Sequence, residues 1–264
     1  MTYLKVPIEY CQLALSCGLV RPAQVHLAGL FLFPGKVPLA DRPYQLITEQ
    51  IKASEKTVSR AINTLIGRNW VGIDRKNKWL FIRGLNKVHE IENFRYKRSA
   101  LMFPKDLKSP KAFFVGAVIS SLCAGTGRNR SIAARSEHPG LPRYYYDNLN
   151  KNEWPVSVDS ITKILNISRS QASNLRKMAN EAGYIKKRPI LIERSEYNYS
   201  NATLLRLTHP ELGRKLVFSD GKVHQQFPDA ILPQIHLKSR RNISIPQTPC
   251  GYYGSHFVQN RNKA

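Results

Sequence analysis

Two 18-residue segments of the chain, Ser54–Val71 and Ser168–Ile185, are rich in side chains that form paired hydrogen bonds. Arg60 and Asn63 stand three residues apart in the first segment, a spacing that puts both on one face of a helix. Arginine binds the two acceptors on the edge of guanine, and asparagine binds the donor and acceptor of adenine. The residue types and their spacing therefore predict that a helix face contacts base edges.

The predicted contact residues of both segments lie opposite a hydrophobic stripe and are mostly basic, amide or hydroxyl side chains. In the first segment they are Ser54, Lys56, Thr57, Ser59, Arg60 and Asn63. In the second they are Ser168, Arg169, Ser170, Gln171, Ser173, Asn174, Arg176 and Lys177. Arg176 falls nearer the buried side, so we expect it to contact phosphate from the rim of its helix. A basic turn after the first segment is predicted to contact phosphates through Arg75, Lys76 and Lys78.

The charge of the chain points to a polyanionic partner. Lys and Arg number 41 against 18 Asp and Glu, which gives a net charge of +23. Nucleic acid is the commonest partner of such a surface, because cations that contact phosphates release condensed counterions. A membrane partner is disfavoured, since the longest apolar stretches are shorter than the ~20 residues of a membrane span. The N-terminus lacks the apolar region of a signal peptide, so we expect a cytoplasmic, nucleoid-associated protein.

The residue patterns of common enzyme sites are missing from the sequence. The seven histidines contain no H-x-H pair, and Gly125-Thr126-Gly127 lacks the G-K-[ST] of a phosphate-binding loop. The carboxylates are too scattered for a two-metal nuclease. The four cysteines have no C-x-x-C spacing and are interpreted as free thiols. We therefore expect a protein that is not an enzyme and has no cofactor, metal site or small-molecule substrate.

Each contact segment is predicted to be a serine-capped helix that follows a shorter helix. Val58, Ala61, Ile62 and Leu65 repeat at i, i+3, i+4 and i+7, the spacing of one buried face. In the second segment, Ser168 and Gln171 match a capping box, and Ala172, Leu175 and Ala179 form the stripe. The shorter helices are predicted at Tyr44–Ile51 and Val158–Leu165, and three residues separate each from its longer partner.

A hairpin is predicted after each longer helix. The first pairs Val71–Asp74 with Trp79–Ile82, and the second pairs Ile185–Ile192 with Ala202–Leu207. Trp79 is expected to pack on the core rather than stack on a base, and Tyr144–Tyr146 are expected to pack back onto their domain.

The repeated landmarks divide the chain into two domains. A short extended segment that ends in proline (Leu4–Pro7, then Leu101–Pro104) precedes a proline-started apolar helix (Pro22–Phe33, then Pro110–Cys123) in both halves. We predict a first domain at 1–88, a linker at 89–99, and a second domain at 100–210 with an insertion near 125–153. Residues 211–264 are predicted to form a basic, proline-rich C-terminal extension that is poorly ordered.

The stretch Ile47–Ile82 resembles the second helix, turn, third helix and wing of winged helix-turn-helix proteins, and the second segment resembles the same signature. Two such units in one basic chain resemble the tandem winged-helix replication initiators of plasmids and phages, and duplicated winged-helix regulators. The resemblance implies a mainly α fold with small β-wings (α+β), with two winged helix-turn-helix domains in tandem and a basic tail. It also implies that each third helix enters the major groove of double-stranded DNA.

Two questions stay open at this point. The expected role is transcription regulation or replication initiation of a plasmid, phage or other mobile element; the alternative is a non-specific nucleoid or packaging protein. The second unit, whose wing tip carries Glu193 and Glu196, is expected either to contact DNA or to hold a protein partner, including a second copy in a homodimer.

Overall fold

Two successive stretches of the chain fold into units with a common order of elements. The computed structural model describes residues 3–33, 35–95, 98–126, 149, 153–195, 199–208 and 216–239. The first unit runs through β1 (Leu4–Pro7), α1 (Ile8–Ser16), α2 (Val20–Leu32), β2 (Lys36–Pro38), α3 (Pro43–Ile51), α4 (Glu55–Gly67), β3 (Val71–Asp74), β4 (Trp79–Ile82) and α5 (Leu85–Ile91). A 3-10 turn, Leu39–Asp41, joins β2 to α3.

The second unit repeats this order with a longer hairpin. It runs through β5 (Arg98–Met102), a 3-10 helix (Pro104–Lys108), α6 (Pro110–Thr126), β6 (Trp154–Pro155), α7 (Val158–Leu165), α8 (Arg169–Glu181), β7 (Ile185–Glu193), α9 (Tyr199–Thr208), β8 (Leu216–Ser219), β9 (Lys222–Pro233) and β10 (Leu237–Ser239). Both units build an antiparallel sheet in the same spatial order, β2-β4-β3 in the first and β6-β9-β7 in the second. In both, the return strand of the hairpin is the central strand. The predicted α+β class is confirmed.

The helix pairs form for the local reasons that the sequence suggested. Ser54 caps α4 by accepting a hydrogen bond from the Thr57 amide, and Ser168 with Gln171 forms a capping box on α8. The stripe of Val58, Ala61, Ile62 and Leu65 is buried. Each short helix ends in a residue with a left-handed backbone, Lys52 in α3 and Asn166 in α7, which reverses the chain within three residues.

The two units share one hydrophobic core and meet across an approximate two-fold axis. β1 pairs antiparallel with its counterpart β5, with Leu4 opposite Met102 and Val6 opposite Ala100. α1 packs on α6, and reciprocally α2 packs on the 3-10 helix Pro104–Lys108. Antiparallel pairing of equivalent strands with reciprocal contacts is what a two-fold rotation produces. Tyr10 of α1, which contacts both Trp70 and Phe114, lies at the centre of this core.

The second strand predicted for the second hairpin is wrong. Residues 202–207 lie in helix α9, and the strand that returns along β7 is β9, some twenty residues later. Ala202 of α9 is buried and packs with Leu216 and Val223. Short apolar runs do not distinguish a helix from a strand, and the leucine-rich composition of this run suits a helix.

The predicted domain limits also need correction. β8, β9 and β10 lie beyond the limit at 210, and β9 and β10 pair with strands inside the second unit, so residues up to at least Ser239 belong to that unit. The linker predicted at 89–99 contains the end of α5 and the start of β5. Residues 127–148, including Tyr144–Tyr146, and residues 240–264 lie outside the described part of the chain, as does Glu196. Helix α1 had no counterpart among the sequence predictions.

Candidate nucleic-acid interface

The exposed face of α4 carries most of the first predicted contact residues. Lys56, Ser59, Arg60 and Asn63 are exposed, because they lie opposite the buried stripe. Ser54 and Thr57 behave differently: their hydroxyl groups lie 2.8 Å apart and close the N-terminus of the helix. These two residues therefore position α4, while the other four form its free polar surface.

The turn between β3 and β4 carries the predicted basic cluster. Arg75, Lys76 and Lys78 are all exposed. Asp74 holds the turn by accepting hydrogen bonds from the backbone and the side-chain amide of Asn77, at 3.0 and 2.8 Å. The backbone hydrogen bond from Asn77, followed by the side-chain one, lowers the pKa of Asp74. The one carboxylate of this turn is thus hydrogen-bonded to Asn77 and forms no ion pair with the three cations, which exceed it in charge.

A partly buried polar network joins the C-terminal ends of α4 and α5. The carboxylate of Glu92 accepts hydrogen bonds from Nε and Nη2 of Arg68 and from the indole N–H of Trp70. His26, from α2, lies 2.8 Å from the carbonyl of Arg83 and 3.1 Å from the hydroxyl of Tyr10.

The hydrogen-bond partners of His26 assign its tautomer. A carbonyl only accepts, so Nε2 of His26 donates to the carbonyl of Arg83, and Nδ1 of the neutral ring can only accept. The single hydroxyl proton of Tyr10 lies between this Nδ1 and the carbonyl of Ala23, at 3.1 and 3.3 Å. Burial lowers the pKa of His26 to about 4, and the hydrogen bond to Arg83 opposes this in part. His26 therefore stays neutral at neutral pH and orients the end of β4 by hydrogen bonding rather than by charge.

The exposed face of α8 is more heavily engaged in internal contacts. Arg169, Ser170, Gln171, Ser173, Asn174 and Lys177 are exposed, as predicted for a contact face. However, the side chain of Gln171 accepts from the Ser168 amide as part of the cap. Arg169 lies 3.6 Å from Asp159, and Lys177 lies 3.8 Å from Glu181.

Arg176 is held inside the second unit rather than presented by it. Its side chain is 18% exposed, and its guanidinium donates to the carbonyl of Val156 and lies 3.4 Å from Asp229. Asp229 also lies 3.1 Å from Lys187. A single carboxylate on β9 thus ties α8 to β7, and the predicted role of Arg176 as a phosphate contact conflicts with this internal position.

The two units therefore differ in how their cations are compensated. Two more basic residues of the second unit have acidic partners: Arg188 pairs with the buried Glu153, and Lys222 pairs with Glu193. In the described ranges, Lys56, Arg60, Arg75, Lys76 and Lys78 of the first unit form no ion pair. The first unit therefore presents five cations without ion pairs to described residues on α4 and its hairpin turn, whereas most cations of α8 and its hairpin have acidic partners.

Two basic residues that border these surfaces were not predicted from the sequence. Lys36 on β2 lies with its ammonium group 4.8 Å from the centre of the Trp79 ring, and Lys186 on β7 is exposed beside the end of α8. The basic run Lys186-Lys187-Arg188, which follows α8 in the chain, could have indicated Lys186. Lys36 had no local signal, because its neighbour Trp79 is 43 residues away in the chain.

The described residues contain no cluster of three or more His, Cys, Asp or Glu side chains suited to a metal ion. Across the same ranges, no helix combines the length and apolarity needed to cross a bilayer. Comparison of the chain with protein-family models, with curated proteins and with solved structures found no significant match.

Proposed function

We propose that the protein is a tandem winged helix-turn-helix protein that binds double-stranded DNA without catalysing a reaction. In this proposal α4 and α8 enter the major groove, and the turns of the adjoining hairpins contact the sugar–phosphate backbone. The observation that carries it is the surface of the first unit. A serine-capped helix presents Arg60 and Asn63 to solvent, and Arg60 forms no ion pair in the described ranges. The hairpin turn of the same unit bears three cations that form no ion pair there either.

The approximate two-fold axis suggests how two units share one duplex. Equivalent strands β1 and β5 run antiparallel, so the two units face opposite directions. A two-fold arrangement of recognition helices matches two half-sites of inverted polarity. Because α4 and α8 carry different side chains, we expect the two half-sites to differ in sequence.

The first unit supplies most of the specificity in this proposal. Arg60 is free to bind guanine and Asn63 to bind adenine, whereas part of the α8 face forms caps and ion pairs. A binder of this kind suits transcription regulation or replication initiation of a mobile element, acting on DNA in the cytoplasm.

Selection of bound duplexes from a random oligonucleotide pool, at physiological salt, tests the proposal. We expect a defined motif with two unequal half-sites. The Arg60→Ala/Asn63→Ala variant loses about a thousandfold in affinity for that motif, since each good bidentate contact contributes about 1–3 kcal/mol. Lys111→Ala, which removes an exposed cation from α6, is the matched control and changes affinity little.

The net charge of +23 favours one second candidate, a packaging protein without sequence preference. It predicts that the selection yields no motif, and that affinity falls steeply with salt and equally for all duplexes. Under that outcome, the Arg60→Ala/Asn63→Ala variant binds every duplex only slightly more weakly, and base recognition by α4 is rejected.

A further inference from the structure

The outward face of the first sheet carries two aromatic rings that the hydrophobic core does not use. β4 is the central strand, and its residues alternate: Leu80 and Ile82 are buried, while Trp79 and Phe81 point away from the core. The expectation that Trp79 packs on the core is therefore wrong. Trp79 is half-buried, and Phe81 is 39% exposed.

The positions across from Phe81 leave its ring accessible. Phe81 lies opposite Gly72 on β3 and Lys36 on β2. Gly72 has no side chain to cover the ring. Leaving out its immediate chain neighbours, the only described atom within 4 Å of where its Cβ would lie is Cβ of Phe81, at 3.9 Å. Residues two apart on a strand are about 7 Å apart along it, so Trp79 and Phe81 offer two adjacent ring faces.

Lysine side chains border this face, and its one carboxylate is hydrogen-bonded within the hairpin turn. Lys36 stands over the Trp79 ring, and the exposed Lys78 immediately precedes Trp79. Asp74 lies opposite Trp79, and both of its carboxylate oxygens accept hydrogen bonds from Asn77. Two outward-facing rings with two lysines and one carboxylate at their margin match an anionic chain that carries flat rings, and the excess of positive charge disfavours a basic or purely apolar protein surface.

We propose that the outward face of the first sheet binds unpaired bases of a single-stranded nucleic acid. Successive bases stack on Trp79 and Phe81, and Lys36 and Lys78 contact the phosphates between and beside them. Stacking displaces the Lys36 ammonium group from the Trp79 ring and frees it for phosphate. This site shares Lys78 with the hairpin turn of the proposed duplex interface, but it is separate from the exposed face of α4 and does not depend on major-groove binding by that helix.

Binding of the full-length protein to a twelve-nucleotide oligothymidylate tests the proposal. We expect Phe81→Ala to weaken this binding about tenfold, and Phe81→Trp to preserve it, because stacking needs a ring rather than phenylalanine itself. Binding to the wild type is expected to quench Trp79 fluorescence, and Trp79→Phe removes that quenching while it keeps most of the affinity.

Phe103 provides a matched control for the loss of an exposed ring. It is 37% exposed, and Lys105 lies 5.9 Å from its ring centre, but it lies outside the first sheet. Phe103→Ala leaves oligothymidylate affinity unchanged if the proposal is right. The Arg60→Ala/Asn63→Ala variant also retains it, so failure of duplex recognition and failure of this site are distinguishable.

Two results overturn the proposal. One is a Phe81→Ala variant, folded by circular dichroism, that binds oligothymidylate as tightly as the wild type or loses no more than Phe103→Ala. The other is a Phe81→Ala variant that loses self-association in sedimentation without any change in oligonucleotide affinity. That second result assigns the face to contact between copies of the chain.

Discussion

The first and second units share an order of elements but use their basic side chains differently. In the first, Arg60, Arg75, Lys76 and Lys78 are exposed and form no ion pairs in the described ranges. In the second, carboxylates compensate six basic residues of α8 and the hairpin: Arg169, Arg176, Lys177, Lys187, Arg188 and Lys222. The comparison teaches that one framework can present its cations to a partner or use them to hold itself together.

The partly buried pairs of the second unit are the more structural ones. Asp229 is 12% exposed and Glu153 is 4% exposed, so removing their partners leaves a largely desolvated charge. The pairs of Arg169 and Lys177 are exposed, and such pairs contribute little stability. An anionic partner would therefore displace the carboxylates of Arg169 and Lys177 more easily than that of Arg176.

The largest expected difference between the units is in sequence-specific affinity. Arg169→Ala/Asn174→Ala is expected to weaken binding to the selected duplex about thirtyfold, and Arg60→Ala/Asn63→Ala about a thousandfold. The loss is smaller for the second unit because Arg169 must break its ion pair with Asp159 before it can contact a base. Fluorescence anisotropy at one fixed salt concentration measures both. Equal losses for the two variants contradict the proposed asymmetry.

The second difference is the response of stability to pH. His26 stands four residues after Pro22 in α2, and the corresponding position after Pro110 in α6 is Phe114. Because the folded pKa of His26 is lowered to about 4 from 6.5, its contribution is complete above pH 6.5 and is lost as pH falls toward 4. We expect the free energy of unfolding to fall by about 3 kcal/mol over this interval.

Urea unfolding between pH 7 and pH 4.5 checks this prediction. Other groups also titrate in this range, so the informative quantity is the difference in pH dependence between the wild type and His26→Gln, not the absolute stability. The glutamine amide can still donate to the carbonyl of Arg83 but does not titrate. The same pH dependence in both proteins means that His26 is not the responsible group.

The smallest expected effect concerns the carboxylate that joins α8 to its hairpin. Asp229→Asn releases Arg176 and Lys187 from their ion pairs, so we expect about threefold to tenfold tighter binding to any duplex. The slope of log affinity against log salt becomes steeper by about one to two, since each new phosphate contact adds about 0.9. The charge-matched control is Asp220→Asn, which removes an exposed carboxylate bonded to Ser219. An equal gain in both variants shows that only net charge matters.

The features that were predictable from the sequence depend on neighbours along the chain. The cap of α4 by Ser54, the buried stripe from Val58 to Leu65, and the first hairpin between Val71 and Ile82 each arise within about a dozen residues. Helix α7 was predicted with its observed limits for the same reason. The exposed face of α4 followed from its stripe, because a helix that buries one side exposes the other.

Most of the features that were not predicted involve partners far away in the chain. The return strand of the second hairpin was misplaced because several segments after β7 have strand-like composition, and only pairing across the sheet selects β9. The internal ion pair of Arg176 was not predicted because its partner Asp229 is 53 residues away. The bulge in β7 beside Pro189, which has no amide to donate, was visible in the sequence only once β9 was known as its partner.

By itself, the amino-acid sequence determined the serine-capped helices, the excess of positive charge and the repeat of elements, since caps, periodicity and composition are local properties. The tertiary structure alone decided which cations stay free, which aromatic rings face outward, and how β1 and β5 bring the two units together. Those outcomes depend on side chains that meet only after the chain has folded, and no spacing along the sequence encodes which carboxylate will reach which guanidinium.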